Sequence, residues 1–421
     1  MPAPTAASVA AEFEARFGEP PAVIVRAPGR VNLIGEHTDY AGLPVLPIAI
    51  DRAIHVAAGH GPTGMVEAQS ATIAGAAALP RENPSAAVTA PWQRYLAGAL
   101  LQLARADDEA QPGARLFIDG DLPLWGGLSS SSALTLGVLA SLAQIWGISL
   151  EPDELVRRAI LAERHVGVES GGMDQEAIVF ARAGAALRIE FDPPGREFVR
   201  LPVGLALVAA SSGEEAPKGG SARAGYNERV IGSRIAAVML ADQVGVDAGT
   251  PPRLSDVAGI DVVDVLVDEL PERMSAQEAA HGAAVDVERI VRLTAGRFDS
   301  REKVPVKRPA RHILAEAERV GFAAESLRAG NLIAFGALLN DSHKSLREDM
   351  RCSTPALDSL CAAMRAAGAF GARLTGAGFG GFAIAAVAPA GVDAVVAAAL
   401  AATGGPAFPV AASAGLEVVV S

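Results

Sequence analysis

The run Gly29-Arg30-Val31-Asn32-Leu33-Ile34-Gly35-Glu36-His37-Thr38-Asp39-Tyr40 sets a guanidinium, two carboxylates, an imidazole and a phenol between glycines near the N-terminus. A core strand has no use for that density of polar groups, and a turn or strand edge explains one such residue rather than five. The inventory suits a polyhydroxylated ligand: acceptors for hydroxyl protons, an imidazole able to donate or accept, and a guanidinium that can face a phosphate. A second stretch, Pro123-Leu124-Trp125-Gly126-Gly127-Leu128-Ser129-Ser130-Ser131-Ser132-Ala133-Leu134, puts two glycines ahead of four serines and a long apolar run. Its backbone N–H groups and the following helix N-terminus can wrap an anion, and the glycines let a phosphate approach closely. It lacks Gly-x-x-x-x-Gly-Lys-Ser/Thr, so no loop lysine neutralises phosphates there. A third, Val168-Glu169-Ser170-Gly171-Gly172-Met173-Asp174-Gln175, sets an aspartate shortly after two glycines. Read alone, the serines and Asp174 are helix caps as readily as site residues.

The elements that must position these groups are legible in outline. From Ala22 to Ala58 β-branched residues come in short bursts between Pro28, Gly29, Gly42 and Pro47, so the first run sits on a strand-loop-strand. Arg115–Ile118 reads as a strand, Ser129–Trp146 as a long apolar helix, and Pro152 to about His165 as a second helix with proline in its first turn. Ala185–Phe191 reads as a strand ending at the turn Asp192-Pro193-Pro194-Gly195, near which we place the lobe boundary. Helical spacing then covers Tyr226–Asp242, Val262–Leu270, Ala276–Leu293, Arg308–Val320, Ala323–Asn340 and Pro355–Ala367. Strands return at Ala372–Thr375, Phe382–Val387 and Leu416–Val420.

The chain has 421 residues, enough for a two-lobed enzyme with a cleft, and a net charge of −12. No block of five or six basic residues occurs, which argues against a nucleic-acid surface. The two cysteines, Cys352 and Cys361, lack zinc-site spacing, and their scarcity fits a reducing cytoplasm. No secretory leader is expected at Met1–Phe17, and the alanine-rich Phe382–Ser413 is too interrupted to span a membrane.

The first run resembles the signature of the galactokinases, in the GHMP small-molecule kinase superfamily. The serine loop is similar to the second GHMP motif, Pro-x-x-x-Gly-Leu-Ser-Ser-Ser, and Thr375-Gly376-Ala377-Gly378-Phe379-Gly380-Gly381 to the third, a turn that packs on the nucleotide loop. Gly172-Met173-Asp174-Gln175 resembles Gly-x-Met-Asp-Gln, and Asn340–Asp349 with Cys352–Asp358 resembles a stretch of galactokinases and N-acetylgalactosamine kinases. The resemblance runs from about residue 22 to 386 and is weakest over Ala241–Lys307. Tyr40-Ala41-Gly42-Leu43-Pro44-Val45-Leu46-Pro47 and Gly171-Gly172-Met173-Asp174 look closer to eukaryotic-type galactokinases and N-acetylgalactosamine kinases than to common bacterial galactokinases.

That resemblance implies a two-lobed α+β GHMP kinase fold with nucleotide and sugar sites between an N-terminal lobe at 1–200 and a C-terminal lobe at 201–421. It implies catalytic roles for Arg30 and Asp174, and sugar contacts from Glu36, His37, Asp39, the Gly171 backbone and Tyr226 of a Tyr-Asn-x-Arg-like segment. Nucleotide contacts fall to Gly126, Gly127, Leu128, Ser129, Ser130, Ser131, Gly376 and Gly378, with Trp92 and Tyr95 by the adenine. Ser131 and Glu163 would hold the Mg2+ that travels with ATP, although on spacing alone Glu163 is a solvated helix charge and Trp92 and Tyr95 are core. The chain departs from the family at Trp125 (usually glycine), Ser132 (alanine), Arg164 (histidine) and Phe382 (cysteine). The implied reaction is phosphorylation of galactose at its anomeric hydroxyl by a cytoplasmic enzyme, monomeric or dimeric, with no nucleic-acid or membrane partner. An N-acetylgalactosamine kinase, a non-catalytic sugar and ATP sensor, and last a mevalonate- or homoserine-type kinase are the alternatives.

Overall fold

The structure is a computed structural model that describes residues 3–103, 112–124, 127–167, 171–214, 221–293 and 296–420. The chain opens with α1 (Ala6–Phe17), capped by the Thr5 side chain, and then β1 (Val23–Asn32), β2 (Pro47–Gly61), β3 (Met65–Ser70) and β4 (Ala77–Pro80). α2 (Gln93–Leu103), β5 (Gly113–Gly120), α3 (Ser130–Ile145), α4 (Pro152–Val166) and α5 (Met173–Phe180) follow. β6 (Ala185–Phe191) and β7 (Pro194–Arg200) form a hairpin, then come β8 (Ala206–Ser211) and α6 (Ser221–Val244).

Next come α7 (Val263–Val267), α8 (Ala276–Gly282) and α9 (Glu288–Val291), with the small pairs β9 (Arg273–Ser275) on β12 (Lys303–Pro305) and β10 (Arg292–Leu293) on β11 (Gly296–Arg297). α10 (Lys307–Arg328), α11 (Leu332–Glu348), α12 (Pro355–Ala366), β13 (Gly371–Thr375), β14 (Phe382–Val387), α13 (Val392–Thr403), β15 (Ala407–Val410) and β16 (Glu417–Val420) complete the order.

One sheet has the order β16-β1-β2-β5-β3-β4 and another β13-β14-β8-β15. Strand alternation lets the second sheet serve two cores. Leu207, Ala209, Phe382, Ile384 and Ala386 join the large core of the first sheet and α3, while Val208, Ala210, Ala383, Ala385 and Val387 face α12 and α13. The C-terminal β16 pairs with β1, so a single cut near residue 200 does not divide the chain by sheet. α3 is buried almost all round, and Gly137 lets it sit against β2, since a Cβ there would lie 2.9 Å from Val56 Cγ2.

Three helical expectations change. Residues 276–293 form α8 and α9 rather than one helix, because the chain turns at Ala284 (φ 53°) and restarts where the Asp286 carboxylate accepts the Glu288 N–H. α10 runs on through Gly321, and the break falls at Gly330 (φ 67°), after which Asn331 caps α11 through the Ala334 N–H. The helix expected over 262–270 shrinks to α7.

Candidate active site

The site begins at a flaw in β1. Pro28 has no N–H to donate, and the β1–β2 register shifts between Pro28 and Arg30. At the shift a Cβ on Gly29 would lie 2.3 Å from Leu122 Cδ1 and 2.9 Å from Leu128 O, so only glycine lets the strand pass this close to the serine loop. The Arg30 N–H donates to Leu128 O at 3.1 Å, and its side chain, 6% exposed, crosses toward α5. There Nε donates to Asp174 Oδ1 at 2.7 Å, a second guanidinium nitrogen lies 2.5 Å from the same oxygen, and NH1 donates to Gly127 O at 2.6 Å. The other oxygen, Oδ2, accepts from Ser129 Oγ at 2.7 Å and faces Ser132 Oγ at 3.4 Å. Neither Ser129 nor Asp174 caps its helix: Ser129 is in the left-handed region (φ 60°) with no side-chain cap bond, and α5 starts at Gly172 without one.

The loop after β1 is held from the second half of the chain. Glu36, 2% exposed, accepts the Gly376 N–H at 2.7 Å, and the buried Arg373 guanidinium lies 3.5 Å from the same oxygen. Burial pushes the Glu36 carboxyl up while Arg373 and Arg30 pull it down. This carboxylate therefore braces the third glycine-rich turn against the loop, a role the sequence reading did not give it. Glu316 of α10 accepts from the Gly35 N–H at 3.0 Å and Ser342 Oγ at 2.5 Å, and Arg373 NH1 donates to Leu33 O at 2.9 Å. His312 lies 3.1 Å from Glu36 O and 2.9 Å from Ser345 Oγ. An arginine in the all-buried β13 was the sequence signal for this network, since a buried cation requires buried carboxylate partners.

His37 sits at φ 65° with Nε2 3.1 Å from Ala377 O and Nδ1 3.2 Å from Tyr40 Oη. A carbonyl only accepts, so Nε2 carries the proton and Nδ1 accepts from the phenol. Burial lowers the His37 pKa to about 3, keeping the ring neutral. Tyr226 of α6 has its ring centroid 5.6 Å from both His37 and Tyr40. Asp39 is half-buried, and burial, then the charge of Asp174, raises its pKa to about 6. A Cβ on Gly171 would lie 2.4 Å from the Asp39 carboxyl, so that glycine backbone abuts Asp39. Asp39 and the Gly171 backbone thus lie together within reach of the Asp174 charge, with the rings of His37, Tyr40 and Tyr226 grouped next to them.

Across the serine loop lies an apolar pocket lined by Trp92, Tyr95, Leu122, Leu124, Ser130 and Ser131, with Ile54, Ile73, Ile118 and Leu134 as walls. Ser70, Thr72 and Asp119 also line it, and the sequence reading missed them because they stand outside its motifs, at and just beyond the end of β3 and near the end of β5. The third turn packs on the loop: a Cβ on Gly127 would lie 3.2 Å from Thr375 O, and one on Gly376 3.3 Å from Gly127 O. Gly378 abuts Cys352 instead, where a Cβ would fall 2.4 Å from Cys352 O. Gly126 and Trp125 lie outside the described residues. Glu163 is no surface charge; it is 3% exposed on α4, which packs against α3 and α2. Phe382 is 3% exposed in the core, 5.9 Å from the Phe408 ring.

The galactokinase galactose-binding signature matches residues 11–60, the GHMP kinase N-terminal domain residues 94–182, and the GHMP kinase C-terminal domain residues 323–405. A galactokinase of Chloroflexus aurantiacus is 36% identical over 391 residues, covering 92% of this chain and 90% of the relative. That of Dictyostelium discoideum is 32% identical, covering 89% and 83%. The chain belongs to the galactokinase family. Among solved structures, Lactococcus lactis galactokinase complexed with galactose is similar at 30% identity and a TM-score of 0.76, covering 99% of both chains. A Methanococcus jannaschii mevalonate kinase at 18% identity and a TM-score of 0.59, covering 92% of this chain and 98% of that one, shares the fold alone. The three matched segments carry, in order, the loop after β1, the Glu163 and Asp174 pair of carboxylates, and the third glycine-rich turn of this galactokinase. Among the described residues no helix is long and apolar enough to cross a membrane.

Proposed function

We propose that the protein transfers the γ-phosphoryl group of ATP to the anomeric hydroxyl of D-galactose, giving galactose 1-phosphate and ADP. The observation that carries this reading is the Arg30 bridge, which joins the Asp174 carboxylate to the Gly127 carbonyl of the serine loop. The sugar lies against Asp39, His37, the Gly171 backbone and Tyr226, with its anomeric hydroxyl toward Asp174. ATP enters the pocket lined by Trp92 and Tyr95, with its phosphates on the loop from Gly127 to Ser131. As the bond from the sugar oxygen to the γ-phosphorus forms, that from phosphorus to the leaving ADP oxygen breaks, and the hydroxyl proton passes to Asp174. Arg30, fixed beside both, offsets charge in the transition state.

A divalent ion carried by nucleotide phosphates takes one or two hard oxygen ligands from protein. The Ser131 hydroxyl and the buried Glu163 carboxylate are such donors, and among the described residues no cluster of three or more His, Cys, Asp or Glu offers a competing cage. Mg2+ bound there would neutralise phosphate charge. Asp174→Asn keeps the side-chain shape, so it should preserve the fold and ATP binding while turnover falls by at least about a hundredfold, the low end for an acid-base group. Turnover near that of the parent would remove Asp174 from the reaction.

A further inference from the structure

α3 carries three buried hydroxyls, and two of them behave as hydroxyls inside helices do, returning to the carbonyl four residues back. Thr135 Oγ1 donates to Ser131 O at 2.9 Å and Ser141 Oγ to Gly137 O at 2.7 Å. The third, Ser132, is fully buried, and its hydroxyl faces Asp174 Oδ2 at 3.4 Å. The carbonyl four residues before it, Leu128 O, already accepts the Arg30 N–H. Ser132 stands where the family pattern has alanine, so the position does not require a hydroxyl for folding.

The two oxygens of Asp174 are held by unlike partners. Oδ1 faces a guanidinium, which only donates and has nothing to offer a protonated oxygen. Oδ2 faces two hydroxyls, Ser129 and Ser132, and a hydroxyl can turn from donating a proton to accepting one. We propose that Ser132 is a positioning residue for phosphoryl transfer: with Ser129 it holds Asp174 Oδ2 as the oxygen that receives the sugar proton. Before transfer both hydroxyls donate to the carboxylate. After it, the new O–H on Oδ2 donates to one hydroxyl, which has turned, while the other still donates; no further reactant is needed. The inference rests on Asp174 being the proton acceptor.

The test is steady-state kinetics of Ser132→Ala and Ser132→Cys beside Asp174→Asn, with galactose and MgATP. Alanine keeps the helix, and cysteine fills the serine volume with only a weak donor. The expected result is a fall in kcat of about three- to tenfold in both Ser132 variants, the scale of one ordinary hydrogen bond and in keeping with the long 3.4 Å contact, with both KM values within about twofold. Parental kcat in Ser132→Ala, recovery of kcat in Ser132→Cys, or a raised KM at unchanged kcat would each overturn the proposal. If alanine impairs folding, Ser132→Cys alone carries the test. Collapse of Asp174→Asn beside a normal Ser132→Ala removes only the Ser132 role, whereas full activity of Asp174→Asn removes the reading beneath it.

Discussion

Of His37 and Asp39, both proposed to hold the sugar, Asp39 is the one whose charge changes nearer neutrality. Its pKa, raised by burial and by Asp174 to about 6, means that the carboxylate is present above pH 6 and protonated below it. Relative to the unfolded chain at 3.8, the raised value favours the fold at low pH, and that contribution is lost as the pH rises through 6. The proposed sugar contact runs the opposite way, because the ionised carboxylate accepts hydroxyl protons strongly at both oxygens, while the protonated form commits one oxygen to its own proton. We therefore expect the KM for galactose to rise as the pH falls from 7 to 5. His37, lowered to about 3, stays neutral over that range and adds no second step. A KM for galactose that stays flat from pH 5 to 8 would take Asp39 out of the sugar contact. At this scale residue types and spacing singled out the run from Gly29 to Tyr40, whereas the family resemblance, not spacing, joined Arg30 and Asp39 to Asp174. It could not reveal that Glu36 bonds Gly376 rather than standing open to the ligand, or that Glu163 is buried, since both depend on elements distant in the chain.

At the scale of elements, the loop after β1 is only as fixed as α10 and β13 make it. Glu316 joins Gly35, Ser342, Arg319 and Arg373, and although burial raises its pKa, the charges of Arg319, His312 and Arg373 and the Ser342 bond hold it at about 2. A depressed carboxyl contributes stability that is fully present above its unfolded value near 4.5 and is lost as the pH falls toward 2. Glu316→Gln should accordingly lower Tm at pH 7, by an amount corresponding to about 3 kcal/mol for a broken buried ion pair. The gap from the parent should narrow below pH 4. An equal Tm at pH 7 would mean that α10 does not brace the loop. Helix existence was legible from apolar spacing, yet the breaks were not. Gly321 resembles a stop but lies inside α10, while the stop at Gly330 works because Asn331 caps the next helix.

For the whole molecule, two sheets share one core, and a buried polar bridge from Arg373 of β13 to Leu33 O ties the second sheet to the loop after β1. The last strand, β16, was legible from its own residues, but its pairing with β1 from the far end of the chain had no local signal, because strand partners are chosen by topology rather than by neighbouring residues. The family and its reaction were legible because three motifs recur in order, and the motifs meet in space at Gly127 and Gly376. The most direct test of the account is ADP release by the purified protein with MgATP and, in turn, galactose, N-acetylgalactosamine, arabinose, glucose and mevalonate. The account predicts turnover on galactose with galactose 1-phosphate as product. Absence of turnover on galactose, with or without turnover on another member of the panel, would contradict it.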